Sequence, residues 1–443
     1  MKNARYDRTT FEQRRSLEAM EPHALREHQL ARLNGLLTSI LPDNSFYREK
    51  LGLDEMSLKT LDALSDLPLT TKQELVDSSD DAGFAANLTF PPEQYSRFHR
   101  TSGTRGRPMI VLDTNEDWDW WMEVWQYVLD SANLTPEDRV LMAFSFGPFI
   151  GFWSAFDAAV ERGSMVVPTG AMSSLARLEL IRTIQATVVC CTPSYALHLA
   201  EVASQHDISL ADSQVTRLIV AGEPGGSIPA VRERIESTWQ AQVIDHSGAS
   251  EVGPWGYADL DRAGIHVNEA EFIPEFIPIK SETTSDQTST FLSTEQLDPS
   301  QLYELVLTCL GRIGSPVIRY RTGDLVRPQW RTSGNRFVLL DGGVLGRTDD
   351  MMIIRGVNVF PTSVEEILRG FPEVQEYRMI AFREGAMDQL KIEVEDALEQ
   401  PNRIEQALQV QLGFRVEVSN VAANSLPRFE AKGKRFVDQR NTE

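Results

Sequence analysis

The stretches Val188-Val189-Cys190-Cys191-Thr192 and Leu218-Ile219-Val220-Ala221 are short, nearly unbroken apolar runs. A strand that is apolar at successive positions leaves no face for water, the pattern of parallel strands covered by helices on both sides. The text around them keeps the same rhythm. Strand-like Val140 to Phe144, helix-like Trp153 to Val160, strand-like Ser164 to Val167, helix-like Leu175 to Gln185, strand-like Thr187 to Cys191 and strand-like Val215 to Ala221 follow one another. This βαβ alternation predicts an α/β fold, with the site on loops at the C-terminal ends of the strands.

Outward from that centre, Trp118, Trp121, Met122, Trp125, Val128 and Leu129 recur at three- and four-residue steps within Asp117 to Leu129. They give one broad apolar helix face, read as core packing rather than as a platform for a cofactor. Ala24 to Leu41 carries helical spacing, and Thr70 or Thr71 is placed to cap the next helix. Met1 to Arg32, rich in Arg, Glu and His, reads as surface helix without an export signal. Leu141 to Val160 approaches the length of a membrane span, but Gly147, Pro148, Gly151 and Asp157 interrupt it. It reads as buried strand, loop and helix. Lys280 to Ser300 reads as a surface hairpin or loop. A Gly-rich charged segment around Asp341 to Asp350 divides a large domain, 1–345, from a small one, 346–443.

A chain of 443 residues with a formal net charge of −21 repels nucleic acid and anionic membrane, so no nucleic-acid or membrane partner is expected. Its three cysteines, Cys190, Cys191 and Cys309, have no metal-type spacing, which predicts a reduced cytoplasmic setting.

Thr101-Ser102-Gly103-Thr104-Arg105-Gly106-Arg107-Pro108 interleaves glycines with hydroxyls and two arginines. Such a loop can turn its amides inward around an anion while the hydroxyls add donors. The competing reading is an exposed turn. Four further motifs lie downstream in order: Ser247-Gly248-Ala249-Ser250-Glu251, Tyr320-Arg321-Thr322-Gly323-Asp324, Gly346-Arg347-Thr348-Asp349-Asp350 and Leu426-Pro427-Arg428-Phe429-Glu430-Ala431-Lys432. In this order they resemble the adenylate-forming superfamily. Together with Phe46 to Leu51, Leu67 to Leu75, Ala221 to Pro224 and Asp349 to Pro361, they resemble its phenylacetate-CoA ligase branch most. The resemblance spans about residues 40 to 440.

That resemblance implies a large AMP-binding domain with mixed and parallel sheets flanked by helices, plus a small mobile C-terminal α/β domain. It implies ATP, Mg²⁺ and coenzyme A as reactants, a small carboxylic acid as substrate, and a homodimer as a further expectation. Thr101, Ser102, Gly103, Thr104, Gly106 and Arg107 are implied to hold the β- and γ-phosphates. Arg107 stands where relatives usually have Lys, a planar fork in place of a point charge. Glu251 is implied as the Mg²⁺ ligand, since a carboxylate beside a triphosphate would otherwise repel it; a capping or surface Glu is the alternative. Ser250 and Gly248 share its motif.

Asp324 is implied to take the ribose hydroxyls and Arg347 to cross the same ribose, unless Arg347 only pairs with Asp349 or Asp350. Asp349 is the implied hinge. Lys432 is implied as the catalytic cation bridging carboxylate and α-phosphate, against the alternative of a solvated basic tail; Ala431 replaces the usual Gly. Gly222, Glu223 and Pro224 form one wall of the implied adenine slot. On the other side Ser247 replaces the usual Tyr, removing a stacking ring unless His246 or Trp255 substitutes.

Phe144, Phe146 and Gly147, in an aromatic-rich loop, are candidates for a flat pocket suited to an aryl acid, with core packing as the alternative for the rings. His246 can meet a ring hydroxyl or amine, or be a satisfied core histidine. The cysteine-based zinc site of some relatives is not matched, leaving only His266 and Cys309. Rival activities are acyl transfer to an amine, hydroxyl or carrier-protein thiol, and, from another class, nucleotide binding without turnover.

Overall fold

The computed structural model describes residues 8–79, 83–101, 108–144, 147–279, 298, 301–350, 352–354, 357–384, 387–428 and 435–440. The apolar runs become neighbouring parallel strands. Met165–Pro168, Arg139–Met142, Val188–Cys191, Arg217–Val220 and Gln242–Ala249 lie side by side, and the sheet continues antiparallel through Gly253–Ala258, Gly264–Val267, Leu339–Asp341 and Pro328–Gln329. Alternate residues of each strand enter different cores. Met142, Cys190, Ile219 and Ile244 face one cluster, and Leu141, Val189, Leu218 and Val243 face the other. Burial on both sides explains why these strands read as continuous apolar text.

The first cluster is built on the helix Asn115–Ser131, capped by Thr114. Trp120, Val124 and Tyr127 are buried as well as the predicted stripe, so the helix is enclosed nearly all round. Three of its indoles keep hydrogen bonds, Trp118 to Asp157, Trp120 to Glu271 and Trp121 to Asp113. Such partners offset the cost of enclosing an indole N–H.

Several expectations are refined. Thr71, not Thr70, caps Lys72–Asp77 through a reciprocal bond with Glu74, while Thr70 donates to Ile318. The helices Pro193–Gln205 and Pro229–Trp239 complete the layer over the second face, and the alternation read from sequence had passed over the first of them. Phe11–Glu18 lies at the surface with one face buried: Phe11, Glu12, Gln13 and Ser16 are exposed, while Arg14 packs against Asp130 at 2.7 Å and Glu18 accepts from the Tyr257 hydroxyl at 2.7 Å. The strand Leu339–Asp341 leads into the Gly-rich charged segment.

A second, antiparallel sheet contains Phe272–Pro278, Tyr303–Cys309, Tyr320–Val326 and Gly346–Arg347. A third contains Glu417–Asn420, Met387–Asp396, Val374–Glu384 and Phe436–Asp438, with its own apolar core of residues between Met352 and Phe436. Apart from residue 298, the stretch 280–300 lies outside the described residues.

Candidate active site

The C-terminal ends of the parallel strands and the hairpin that follows them gather most of the candidate residues. Gln242–Ala249 runs directly into Gly253–Ala258, so Ser247 pairs with Gly256 and Glu251 lies in the tight turn. Gly248 is required there. A Cβ on it would meet the Gly253 carbonyl oxygen at 3.0 Å and Pro254 Cα at 3.2 Å.

Glu251 is buried and ionised. Lys72 Nζ lies 3.1 Å from its Oε1 and the Tyr320 hydroxyl donates to the same oxygen at 2.9 Å. Burial pushes this carboxyl up, but the attraction of Lys72 and the hydrogen bonds outweigh it and hold it below the usual carboxylate range. The preceding residue is also fixed, since Arg312 donates to the Ser250 carbonyl at 2.9 Å. Arg312 itself is fully enclosed and held by Asp113.

From Tyr320 the strand leads to Asp324, which lies opposite Arg347 in the sheet, with Nε 3.5 Å from the carboxylate. Asp324 is the main cause that raises the Arg347 guanidinium above its ordinary value, with Glu251 and Tyr320 adding to it. Arg347 therefore does more than pair with its acidic neighbours in sequence; it also donates to the Thr322 carbonyl. Glu251, Tyr320, Asp324 and Arg347 form one electrostatic group.

Gly222 has φ +93° at the end of Arg217–Val220, where its missing Cβ faces Thr192. Glu223 accepts from the Ser194 amide at 2.7 Å, anchoring this wall to the start of Pro193–Gln205; Pro224 follows. Beneath it, Asp245 is buried, bonded by Ser227 at 2.6 Å and pushed up by burial to about 6. Gly226 is obligatory beside it, because a Cβ would come within 2.5 Å of Asp245 Cγ.

Thr101 closes the root of the glycine-rich loop. Its amide donates to the Met109 carbonyl and its Oγ1 accepts from the Met109 amide, both at 3.0 Å, so the loop is the tip of the hairpin Arg97–Arg100 and Ile110–Asp113. Ser102, Gly103, Thr104, Gly106 and Arg107 lie outside the described residues, as do Phe146 and Lys432. The Arg100 amide donates to the Pro148 carbonyl at 2.7 Å, joining this hairpin to the aromatic loop. There Phe144 stacks on Phe152 with centroids 4.0 Å apart, and the Gly147 carbonyl accepts from the Trp153 indole at 3.0 Å. Asp349 belongs to the 3-10 turn Thr348–Asp350; its side chain is outside the description.

His246 packs on Trp125 with ring centroids 4.4 Å apart. His266 and Cys309 are engaged separately, His266 with Asp259 at 3.1 Å and Cys309 with the Val317 amide at 3.3 Å. No group of three or more His, Cys, Asp or Glu able to hold a metal occurs among the described residues.

Lys72, Arg312, Asp113 and Asp245 were not singled out from the sequence. Only Lys72 carried a local signal, as the residue after the helix-capping Thr71. The start of the last motif reaches back to the large sheet's helices. Arg428 pairs with Glu395 at 2.8 Å and with Glu201 of Pro193–Gln205 at 3.4 Å, while Arg234 donates to the Val374 carbonyl at 3.1 Å.

A parallel sheet whose strand ends carry a glycine-containing wall, with a buried carboxylate and an aspartate–arginine pair on the elements that follow, defines a nucleotide-handling α/β protein. Residues 48–270 match the AMP-binding enzyme model and residues 356–440 that of the AMP-binding enzyme C-terminal domain. The chain belongs to the AMP-binding enzyme family. It is 30% identical to the phenylacetate-coenzyme A ligase of Pseudomonas putida over 96% of both chains. It is 32% identical to that of Thermus thermophilus over 86% of this chain and 83% of the other. Its fold matches 2-hydroxyisobutyryl-CoA ligase in the postadenylation state, with a TM-score of 0.87 and 27% identity over 96% of this chain and 91% of that one. Against the same ligase in the thioesterification state the TM-score is 0.71, at 27% identity over 98% and 94%.

Proposed function

We propose that this chain is an AMP-forming acid–coenzyme A ligase acting on an aryl or arylacetic acid. The carboxylate oxygen of the acid attacks the α-phosphorus of ATP, the bond to the β-phosphate breaks, and pyrophosphate leaves. The sulfur of coenzyme A then attacks the carbonyl carbon of the acyl-adenylate and AMP departs. The observation that carries this reading is the group formed by Glu251, Lys72, Tyr320, Asp324 and Arg347, in a chain that aligns with phenylacetate-coenzyme A ligases over nearly its whole length.

The Glu251 carboxylate is a hard oxygen donor kept ionised by its neighbours, so it fits the Mg²⁺ that accompanies ATP and would offset phosphate charge. Lys72 and Tyr320 orient that carboxylate by donating to the same oxygen, Oε1. Asp324 accepts from the ribose hydroxyls while Arg347 stays beside it. Gly222, Glu223 and Pro224 wall the adenine, with Ser247 opposite. The loop from Thr101 holds the phosphates through Ser102, Gly103, Thr104, Gly106 and Arg107, whose amides and cations stabilise the leaving group. Phe144, Phe146, Gly147 and His246 border the acid.

The region beyond the strand Gly346–Arg347 acts as a lid that carries Lys432 and turns about Asp349 between the half-reactions. Its separate core supports this, as does the better match to one state of a two-state relative. Lys432 lies four residues beyond Arg428, so chain length keeps it within ~14 Å of a residue that already touches Glu201. A homodimer, a cytoplasmic setting and the lack of a nucleic-acid partner belong to the same proposal. Three free cysteines support the second and the −21 charge the third. No helix among the described residues is long and apolar enough to cross a membrane.

The test is acid-dependent exchange of labelled pyrophosphate into ATP, followed by coenzyme A-dependent thioester release, across a panel of aryl and arylacetic acids. Exchange with thioester formation is expected. Exchange without thioester, but with amide or ester when an amine or alcohol is supplied, would overturn the acceptor. No exchange from folded protein would overturn the reading as a whole.

A further inference from the structure

His246 is placed where it can read a substituent of the acid. It follows Ile244 by two residues on the strand Gln242–Ala249, so it lies on the same sheet face, toward the core of the tryptophan-rich helix and Phe144. Its ring is 6% exposed and rests against Trp125. Nδ1 is 2.6 Å from the Gly256 carbonyl, which can only accept, so Nδ1 carries the hydrogen. Burial lowers the imidazole to about 4, and the ring is neutral at ordinary pH.

Nε2 is then a bare acceptor. No described residue donates to it, yet it is not among the fully enclosed partnerless atoms. Gly248 lies beside it, the position of a Cβ there being 3.5 Å from Nε2. A bare acceptor is complemented by a group that donates a hydrogen, which a hydroxyl does and a methyl or fluorine does not.

We propose that His246 Nε2 is a specificity determinant that selects carboxylic acids bearing a hydroxyl, by accepting its hydrogen bond. The proposal rests on the adenylation reading and narrows its substrate class. A buried acceptor left facing an apolar group loses its hydrogen bond to water without replacement, so acids lacking the hydroxyl are discriminated against.

The experiment uses the full-length protein and pyrophosphate exchange with matched acids: aryl and arylacetic acids carrying hydroxyl, amino, fluoro or hydrogen at each position. The expected result is that one hydroxylated isomer exceeds its fluoro counterpart in kcat/KM by about 10- to 100-fold. His246→Leu should bring that ratio to within about 3-fold of unity. His246→Gln should preserve most of it, because its amide can donate to Gly256 and its oxygen accept from the substrate. Equal use of hydroxyl and fluoro acids by the wild type would overturn the inference while leaving the ligase reading intact. So would an unchanged ratio in His246→Leu. If His246→Leu does not fold, the wild-type ratio and His246→Gln decide. Exchange with no acid at all would remove the ligase reading and this inference with it.

Discussion

Replacing Arg312 with Met should cost the protein about 3 to 5 kcal/mol, because it strands a charge in the core. Arg312 and Asp113 are both fully enclosed, with Nε 2.8 Å and Nη2 2.7 Å from the same carboxylate oxygen. Once the guanidinium is gone, Asp113 keeps only the Trp121 indole at 3.2 Å and His99 at 3.6 Å. Removing both charges in Arg312→Met/Asp113→Leu takes away the stranded anion, and stability should return to within about 2 kcal/mol of the wild type. Activity should not return with it, since the Ser250 carbonyl still lacks the donor that steadies the residue before Glu251. The assay is urea unfolding followed by tryptophan fluorescence, because Trp118, Trp120, Trp121 and Trp125 sit on the helix that packs against this pair. A single variant that loses less than about 1 kcal/mol, or a double variant no more stable than the single, would refute the reasoning.

Glu251→Gln keeps an acceptor for Tyr320 but removes the charge, and pyrophosphate exchange should fall by about 100-fold or more. Because the Glu251 carboxyl is held below its ordinary value, it stays charged through the ordinary carboxylate range, and its contribution is lost only as pH falls through the lowered folded value. Wild-type exchange should therefore show no loss attributable to Glu251 between pH 8 and about 5, which a pH–rate profile checks. Lys432→Ala should suppress adenylate formation far more than thioester formation from supplied acyl-adenylate; equal losses, measured in separate half-reaction assays, would contradict the role given to that lysine. Ser247→Tyr should lower the ATP KM by about 5- to 150-fold if stacking on adenine is restored, from ~1 to 3 kcal/mol per stacked base. An unchanged KM would mean that another group already fills the slot.

Local chemistry was legible where the physics is local. Thr71 caps a helix because its hydroxyl and Glu74 are three residues apart, and the parallel strands showed themselves because both faces are buried. The helix Pro193–Gln205 escaped because its buried residues, from Ser194 through Leu199, nearly surround its first turns and blur the period that marks an amphipathic surface helix.

The alternation of apolar strands and helices was enough to define the α/β class, and the family resemblance carried by the order of the motifs implied the kind of chemistry. Which cation would face Glu251, which base pair of charges would hold Ser250, and that Arg14 would be buried against Asp130 were decided only by the tertiary structure. Lys72 and Glu251 are 179 residues apart, and Arg312 and Asp113 are 199 apart. At such separations a side chain's partner is chosen by how sheets and helices pack, and burial then makes the pairing obligatory, since a lone charge in that interior cannot be tolerated.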